Sequence, residues 1–201
     1  MSHYFTDNRQ LAHNRKDFTF RFSCFRFEFT SDNGVFSKDG IDFGSKVFLD
    51  TLLKQNLGSK ILDVGCGYGT LGIVLKKFLP ESEVHMVDVN PRALELAGLN
   101  AHRNQCDVKI FESNCYENVN DHDYTDIVTN PPIRAGKVVI YKIFEQAKEH
   151  LVENGNLWVV IRKQQGGESA LRKIREVFGN GEIIAKEKGY FIIKSTKTID
   201  K

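Results

Sequence analysis

From Lys60 onward the chain alternates apolar strands with amphipathic helices so regularly that few architectures accommodate it. KILDVG, EVHMVDV, DVKIFES, YTDIVTN and NLWVVIRK are short apolar runs of strand character. TLGIVLKKFL, PRALELAGLNAHRN, VVIYKIFEQAKEHL and ESALRKIREVF repeat apolar residues at helical spacing, and proline opens the second of them, where a missing N–H costs nothing. Strands buried on both faces need crossovers to reach parallel neighbours, so the pattern predicts an α/β fold: a Rossmann-like, mostly parallel sheet with helices on both faces. The final segment, GEIIAKEKGYFIIKST, reads as two strands joined by a turn near Gly189 without a helix, which demands one antiparallel strand.

The segment before this core is different. In DFTFRFSCFRFEFT, Phe18, Phe20 and Phe22 alternate with polar residues, as do Phe25, Phe27 and Phe29, with a phase slip at Ser23-Cys24. Period two predicts a small β-hairpin. Arg21 and Arg26 interleave with the rings, as on a base-stacking surface, but alternating Phe more often marks a strand face packed on the core. After Ser31-Asp32-Asn33-Gly34, GVFSKDGIDFGS is a Gly-rich connector, and VFLDTLLKQNL returns to helical spacing. With 201 residues and no linker or repeat, the chain is expected to form a single domain: 1–43 as a β extension and connector, 44–201 as the core.

Composition excludes more than it assigns. A 41% hydrophobic, 27% charged chain is ordinary for a globular protein, and no apolar run approaches the ~20 residues of a membrane span. The start, MSHYFTDNRQ, lacks the apolar core of a secretory signal, so a cytoplasmic protein is expected. Cys24, Cys66, Cys106 and Cys115 form no CxxC pair and the histidines no HxxxH, so no metal site is expected. A net charge of +2 tolerates a nucleic-acid partner without arguing for one.

Two strand ends carry the chemistry. The first, Asp63-Val64-Gly65-Cys66-Gly67-Tyr68-Gly69, passes from a buried strand into a helix, where open α/β sheets bind ligands. Gly67, Gly69 and Gly72 match the dinucleotide fingerprint, yet Asp63 at the mouth of the loop opposes a pyrophosphate and suits an ammonium group. Asp88 closes the next strand, about twenty residues on, where a carboxylate can accept both hydroxyls of a ribose. Asn114 closes the third, as an adenine contact or as a loop cap. The second signal is Asn130-Pro131-Pro132-Ile133, followed by Arg134 and Lys137. Alone it is a rigid turn; at the same sheet edge as the glycine loop it becomes a candidate catalytic turn.

Asp63-x-Gly65-x-Gly67-x-Gly69, the Asp88 strand end and Asn130-Pro-Pro together resemble the S-adenosylmethionine-dependent, seven-stranded N-methyltransferases. GVFSKDGIDFGS, SNCYENV and TNPPIRAGK resemble, more narrowly, the single-domain members of the 16S ribosomal RNA guanine-N2 methyltransferases, over roughly Asp17 to Thr196. The resemblance implies S-adenosylmethionine as cofactor, held by Asp63, Gly65, Gly67, Gly69, Asp88, Asn114 and Asn130. It implies ribosomal RNA or the small ribosomal subunit as partner, and a covering loop containing Phe36, Ser37, Asp42 and Gly44. Pro132, Ile133, Arg134, Lys137 and Phe36 become substrate contacts, with Arg134 and Lys137 placed for phosphates or simply solvated. Asn130 and Pro131 become catalytic, their side-chain and backbone oxygens accepting the two N–H bonds of an exocyclic amine. Ile133 departs from the broader group, which usually carries an aromatic there, and the chain is expected to lack the extra N-terminal domain found in some larger members. Transfer to protein glutamine or DNA adenine is the enzymatic alternative, and a non-catalytic RNA-binding module the other.

Overall fold

The computed structural model describes residues 12–199; the polar start read above for a secretory signal lies outside them, as do residues 200–201. Lys16–Phe22 (β1) and Phe25–Ser31 (β2) form the expected antiparallel hairpin, in register from Lys16↔Ser31 to Phe22↔Phe25. Phe43–Leu52 (α1) follows. The core then runs Lys60–Val64 (β3), Thr70–Phe78 (α2), Glu83–Asp88 (β4), Pro91–Arg103 (α3), Lys109–Glu112 (β5) and Tyr124–Thr129 (β6). It continues through Lys137–His150 (α4), Leu151–Arg162 (β7), Gly167–Phe178 (α5), Glu182–Glu187 (β8) and Tyr190–Thr196 (β9).

The seven core strands lie in the order β5-β4-β3-β6-β7-β9-β8. From β3 the chain winds outward to β4 and β5, then returns to place β6 and β7 on the other side, so strand order reverses between β3 and β6, where such sheets open a ligand crevice. β9 is antiparallel to both β7 and β8 and is the one reversed strand. One face of the sheet packs on α1, α2, α3 and the hairpin, through Phe48, Ile73, Leu96, Phe27 and Phe29. The other packs on α4 and α5 through Phe144 and Ile174. Among the described residues no helix is long and apolar enough to cross a membrane.

The Phe rings of the hairpin are core, not a stacking surface: Phe20, Phe27 and Phe29 are buried, and Phe29 meets Tyr68 edge-on at 6.0 Å. The far edge of β2 would present unpaired backbone groups, and Asn100 of α3 and Asn104, which caps the C-terminus of that helix, satisfy them. Asn100 accepts from Thr30 N–H (2.7 Å) and donates to Thr30 C=O (3.0 Å), while Asn104 does the same for Glu28 at 3.0 and 2.8 Å. Four residues of helix rise ~6 Å and two residues of strand ~6.6 Å, so an Asn-x-x-x-Asn pair matches alternate residues of an extended strand.

One helix start and one strand start shift by several residues from the sequence reading, and the helix read through Leu57 ends at Leu52. α1 begins at Phe43 rather than at Val47, with Asp42 capping it by accepting from Ser45 N–H at 3.0 Å. β7 begins at Leu151 rather than Asn156, because Asn154 and Gly155 exchange backbone hydrogen bonds with Lys197 and carry the sheet outward.

Candidate active site

The carboxyl ends of β3, β4, β6 and β7 open onto one cavity of about 1350 Å³. Asp63, Gly65, Gly67 and Asp88 line it on one side of the switch point; Asn130, Pro131, Pro132, Ile133 and Arg134 line the other. Asn114 and Phe36 are also in its wall. Two expected residues are not. Gly69 caps α2 at φ 96°, and a Cβ there would meet Ile73 Cδ1 at 2.8 Å, so it serves the packing of α2. Lys137 is exposed as the first residue of α4, beyond the cavity wall.

Gly65 and Gly67 hold left-handed backbone at φ 75° and 57°, which turns the chain sharply out of β3 and back over β4. Gly65 and Cys66 N–H both donate to Val87 C=O, at 2.9 and 3.0 Å, pinning the loop to the neighbouring strand end. Asp88 accepts from Gly67 N–H through Oδ2 and from Asn90 N–H through Oδ1, both at 2.9 Å, so this carboxylate also shapes the loop it faces. Asp63 is fully buried. Its Oδ2 accepts from Gly72 N–H at 3.0 Å, but its Oδ1 has no hydrogen-bond partner. Burial pushes this carboxyl up to about 7, opposed by the Gly72 bond and assisted by the nearby Asp88 charge. A buried, half-satisfied carboxylate in a cavity wall has the chemistry to receive an ammonium group.

Asn130 follows β6, and its amide is oriented by a relay absent from the sequence reading. Asn130 Nδ2 and Ser45 Oγ lie 3.1 Å apart, and Ser45 Oγ donates to Asp42 Oδ2 at 2.6 Å. A serine hydroxyl has one proton; with that proton on the Asp42 carboxylate, the oxygen can only accept from Asn130, which requires the amide nitrogen to face it. The Asn130 side-chain carbonyl therefore points away, with no partner among the described residues. In the next residues the Pro132 carbonyl accepts from Ala135 N–H at 2.9 Å, while the Pro131 carbonyl accepts from none of the described residues. Two acceptor oxygens without partners among the described residues, one carried by Asn130 and one by Pro131, stand at this turn.

The connector after β2 covers the cavity. Tyr68, buried and pushed up to about 12 chiefly by burial, donates between the carbonyls of Ser37 (3.3 Å) and Gly40 (3.4 Å). Asn90 Nδ2 donates to Gly34 C=O at 3.0 Å and Arg92 to Asn33 C=O at 3.2 Å. The loop is thus clasped by residues just after β3 and β4, with Phe36 57% exposed on it. Asn114 Nδ2 donates to Glu117 at 2.9 Å, the loop-capping role, while the residue still faces the cavity. Cys66 and Cys115 also line the wall, but burial pushes both thiols up, so neither offers a thiolate nucleophile at neutral pH. Glu83, His85 and Asp121 are close enough to share an ion, but near the opposite ends of the strands, where Lys60 Nζ already lies 3.1 Å from Asp121.

Ser45, Arg162 and Tyr190, all in the wall, were not singled out in the sequence. Asp42-x-x-Ser45 was visible as a helix-capping spacing, and Arg162 as the last residue of an apolar strand whose C-terminal end faces the crevice.

The profile of the methyltransferase small domain family matches residues 26–194. An uncharacterized protein of Bacillus subtilis (strain 168), YbxB, is 44% identical over 197 residues, covering 97% of this chain and 98% of its own. Ribosomal RNA small subunit methyltransferase C of Vibrio cholerae is 32% identical over 171 residues, 82% of this chain and 48% of the relative. A T. thermophilus 16S rRNA N2 methyltransferase solved in complex with AdoMet and guanosine shares the fold, with a TM-score of 0.82 at 23% identity over 91% of this chain and 50% of that one. The chain spans about half the length of these ribosomal RNA methyltransferases. Matched by the profile over most of its length, it belongs to the methyltransferase small domain family.

Proposed function

We propose that the protein is an S-adenosylmethionine-dependent methyltransferase that acts on the exocyclic N2 amine of a guanine in small-subunit ribosomal RNA. The observation that carries this reading is the pair of open acceptors at Asn130 and Pro131, one of them oriented through Ser45. When bound, S-adenosylmethionine supplies an electrophilic methyl group. Asp63 Oδ1 would take its ammonium, Asp88 would take its ribose hydroxyls, and Gly65 and Gly67 would leave room for it along the loop backbone.

An amine conjugated to a purine ring is a weak nucleophile because its lone pair is delocalised. Asn130 Oδ1 and the Pro131 carbonyl accept its two N–H bonds, turn the lone pair out of conjugation, and stabilise the positive charge that grows on nitrogen as it is alkylated. An amide oxygen suffices as the proton's first acceptor because the amine becomes strongly acidic only then. The curated small-subunit methyltransferases among the relatives favour ribosomal RNA over DNA or protein as the substrate.

The test is to incubate the protein with radiolabelled S-adenosylmethionine and, separately, naked small-subunit RNA, the assembled subunit, DNA and a protein extract, then digest each product. Label in N2-methylguanosine is expected from one of the first two. Label only in methyladenine or in protein would overturn the substrate.

A further inference from the structure

A base whose amine reaches Asn130 has left its stack, and an extruded base is ordinarily held by contact with its flat face as well as along its edge. Ile133, beside the catalytic turn, offers no ring. The planar group facing the same crevice comes from the next strand.

β6 and β7 run parallel with Thr129 opposite Val159, so Val160 stands beside Asn130 and Arg162 two residues beyond it, roughly 7 Å along the strand. Alternate residues share a face, and Val128 and Val160 both pack in the cluster under α1, so Asn130 and Arg162 continue onto that face. Tyr190 is the cross-strand partner of Arg162 and lies on the same side. The Arg162 guanidinium sits over the Tyr190 ring, 4.9 Å from its centroid. That ring in turn packs beside Phe43 at 5.9 Å and over the start of α1, where a Cβ on Gly44 would come within 2.5 Å of Tyr190 Cε1. The helix start is cut away at Gly44 to admit the ring, one residue from the Ser45 that orients Asn130. Arg162 and Tyr190 both line the cavity, and Arg162 is exposed, with no carboxylate partner among the described residues.

We propose that the Arg162 guanidinium, carried on the Tyr190 ring, is the surface on which the target purine stacks while Asn130 holds its amine. This rests on the reading of the site given under Proposed function. A guanidinium suits the task because it is planar, weakly hydrated and permanently charged, and stacks on a π-face without needing a particular edge. Tyr190 keeps it flat against the wall. The amine acceptors at Asn130 and Pro131 then demand a base that carries an exocyclic amine, and affinity for the extruded base falls to Arg162.

The experiment compares wild type, Arg162→Ala, Arg162→Lys, Tyr190→Phe and Tyr190→Ala for methyl transfer to small-subunit RNA, with S-adenosylmethionine affinity and the salt dependence of RNA binding measured alongside. Arg162→Ala and Arg162→Lys are expected to lose kcat/KM alike, by roughly ten- to a hundredfold, the scale of one stacked base. Tyr190→Phe should keep activity and Tyr190→Ala should lose it, with cofactor affinity and the salt slope unchanged throughout. Full activity in Arg162→Lys together with a shallower salt slope in Arg162→Ala would make Arg162 a phosphate contact and overturn the proposal, as would an Arg162→Ala enzyme indistinguishable from wild type. If wild type labels no RNA at all, the substrate reading falls first and this inference with it; if wild type labels RNA and the variants do not differ, only this inference falls.

Discussion

The side-chain amide of Asn130 donates to Ser45 Oγ at 3.1 Å, and that bond decides which end of the amide faces the cavity. With its own proton held by Asp42, the residue that caps α1, the hydroxyl has only lone pairs to offer the amide. Helix capping and the orientation of Asn130 thus share one carboxylate, with Oδ1 taking the Ser45 N–H and Oδ2 the Ser45 hydroxyl.

Removing the Ser45 hydroxyl should separate these two roles. In Ser45→Ala the cap bond from residue 45 N–H to Asp42 survives, so thermal stability should change by no more than about 1 kcal/mol. The Asn130 amide loses its orientation, and turnover should fall roughly ten- to a hundredfold with little change in cofactor affinity. Steady-state kinetics beside a denaturation curve checks both halves; a kcat equal to wild type would remove Ser45 from the site.

With Asp63 as the partner of the ammonium group, cofactor binding should depend on pH. Burial raises its carboxyl from 3.8 to about 7 in the folded protein. The folded form holds the proton more tightly than the unfolded, so this group's contribution to stability is complete below pH 3.8 and is lost as pH rises through about 7. A cationic ligand needs the ionised form. S-adenosylmethionine affinity should therefore strengthen roughly tenfold between pH 5.5 and pH 7, with uptake of ligand releasing part of a proton. Calorimetry in buffers of different ionisation heat reads both; Asp63→Asn should bind weakly and lose the pH slope. A flat profile in wild type would show that Asp63 is ionised before the ligand arrives.

Asn100 carries the attachment of the hairpin. Besides its two bonds to Thr30 it donates to Tyr68 C=O at 2.9 Å, joining β2, α3 and the glycine loop from a fully buried position. Asn100→Ala strands buried backbone groups on both segments and should cost about 3 kcal/mol of unfolding free energy. Denaturant midpoints check this. A loss under about 0.5 kcal/mol would mean that water replaces the side chain without penalty.

The core was legible because its signals are local. Buried parallel strands and amphipathic helices write their periods into consecutive residues, and a helixless pair at the end announced the reversed strand β9. Asp63, Asp88 and Asn130 were legible for a related reason: each terminates or follows a strand, and the fold brings such ends to one edge. What escaped depended on register between distant segments. Gly44 hid the first turn of α1, since glycine disfavours a helix, and the reason for it is the Tyr190 ring supplied by β9. Ser45 and Arg162 became site residues only once α1 lay over β6 and β7 aligned Val159 with Thr129. Gly69 and Lys137 matched a motif by position, while packing assigned one to α2 and left the other outside the cavity.

The most direct test of the account is a comparison of Asn130→Ala with wild type under single-turnover conditions, using labelled S-adenosylmethionine and whichever RNA the wild type modifies, with cofactor affinity measured on the same preparations. The account predicts unchanged affinity to within a few fold and a loss of N2-methylguanosine formation of at least about a hundredfold. Methyl transfer at the wild-type rate with Asn130 removed would contradict it.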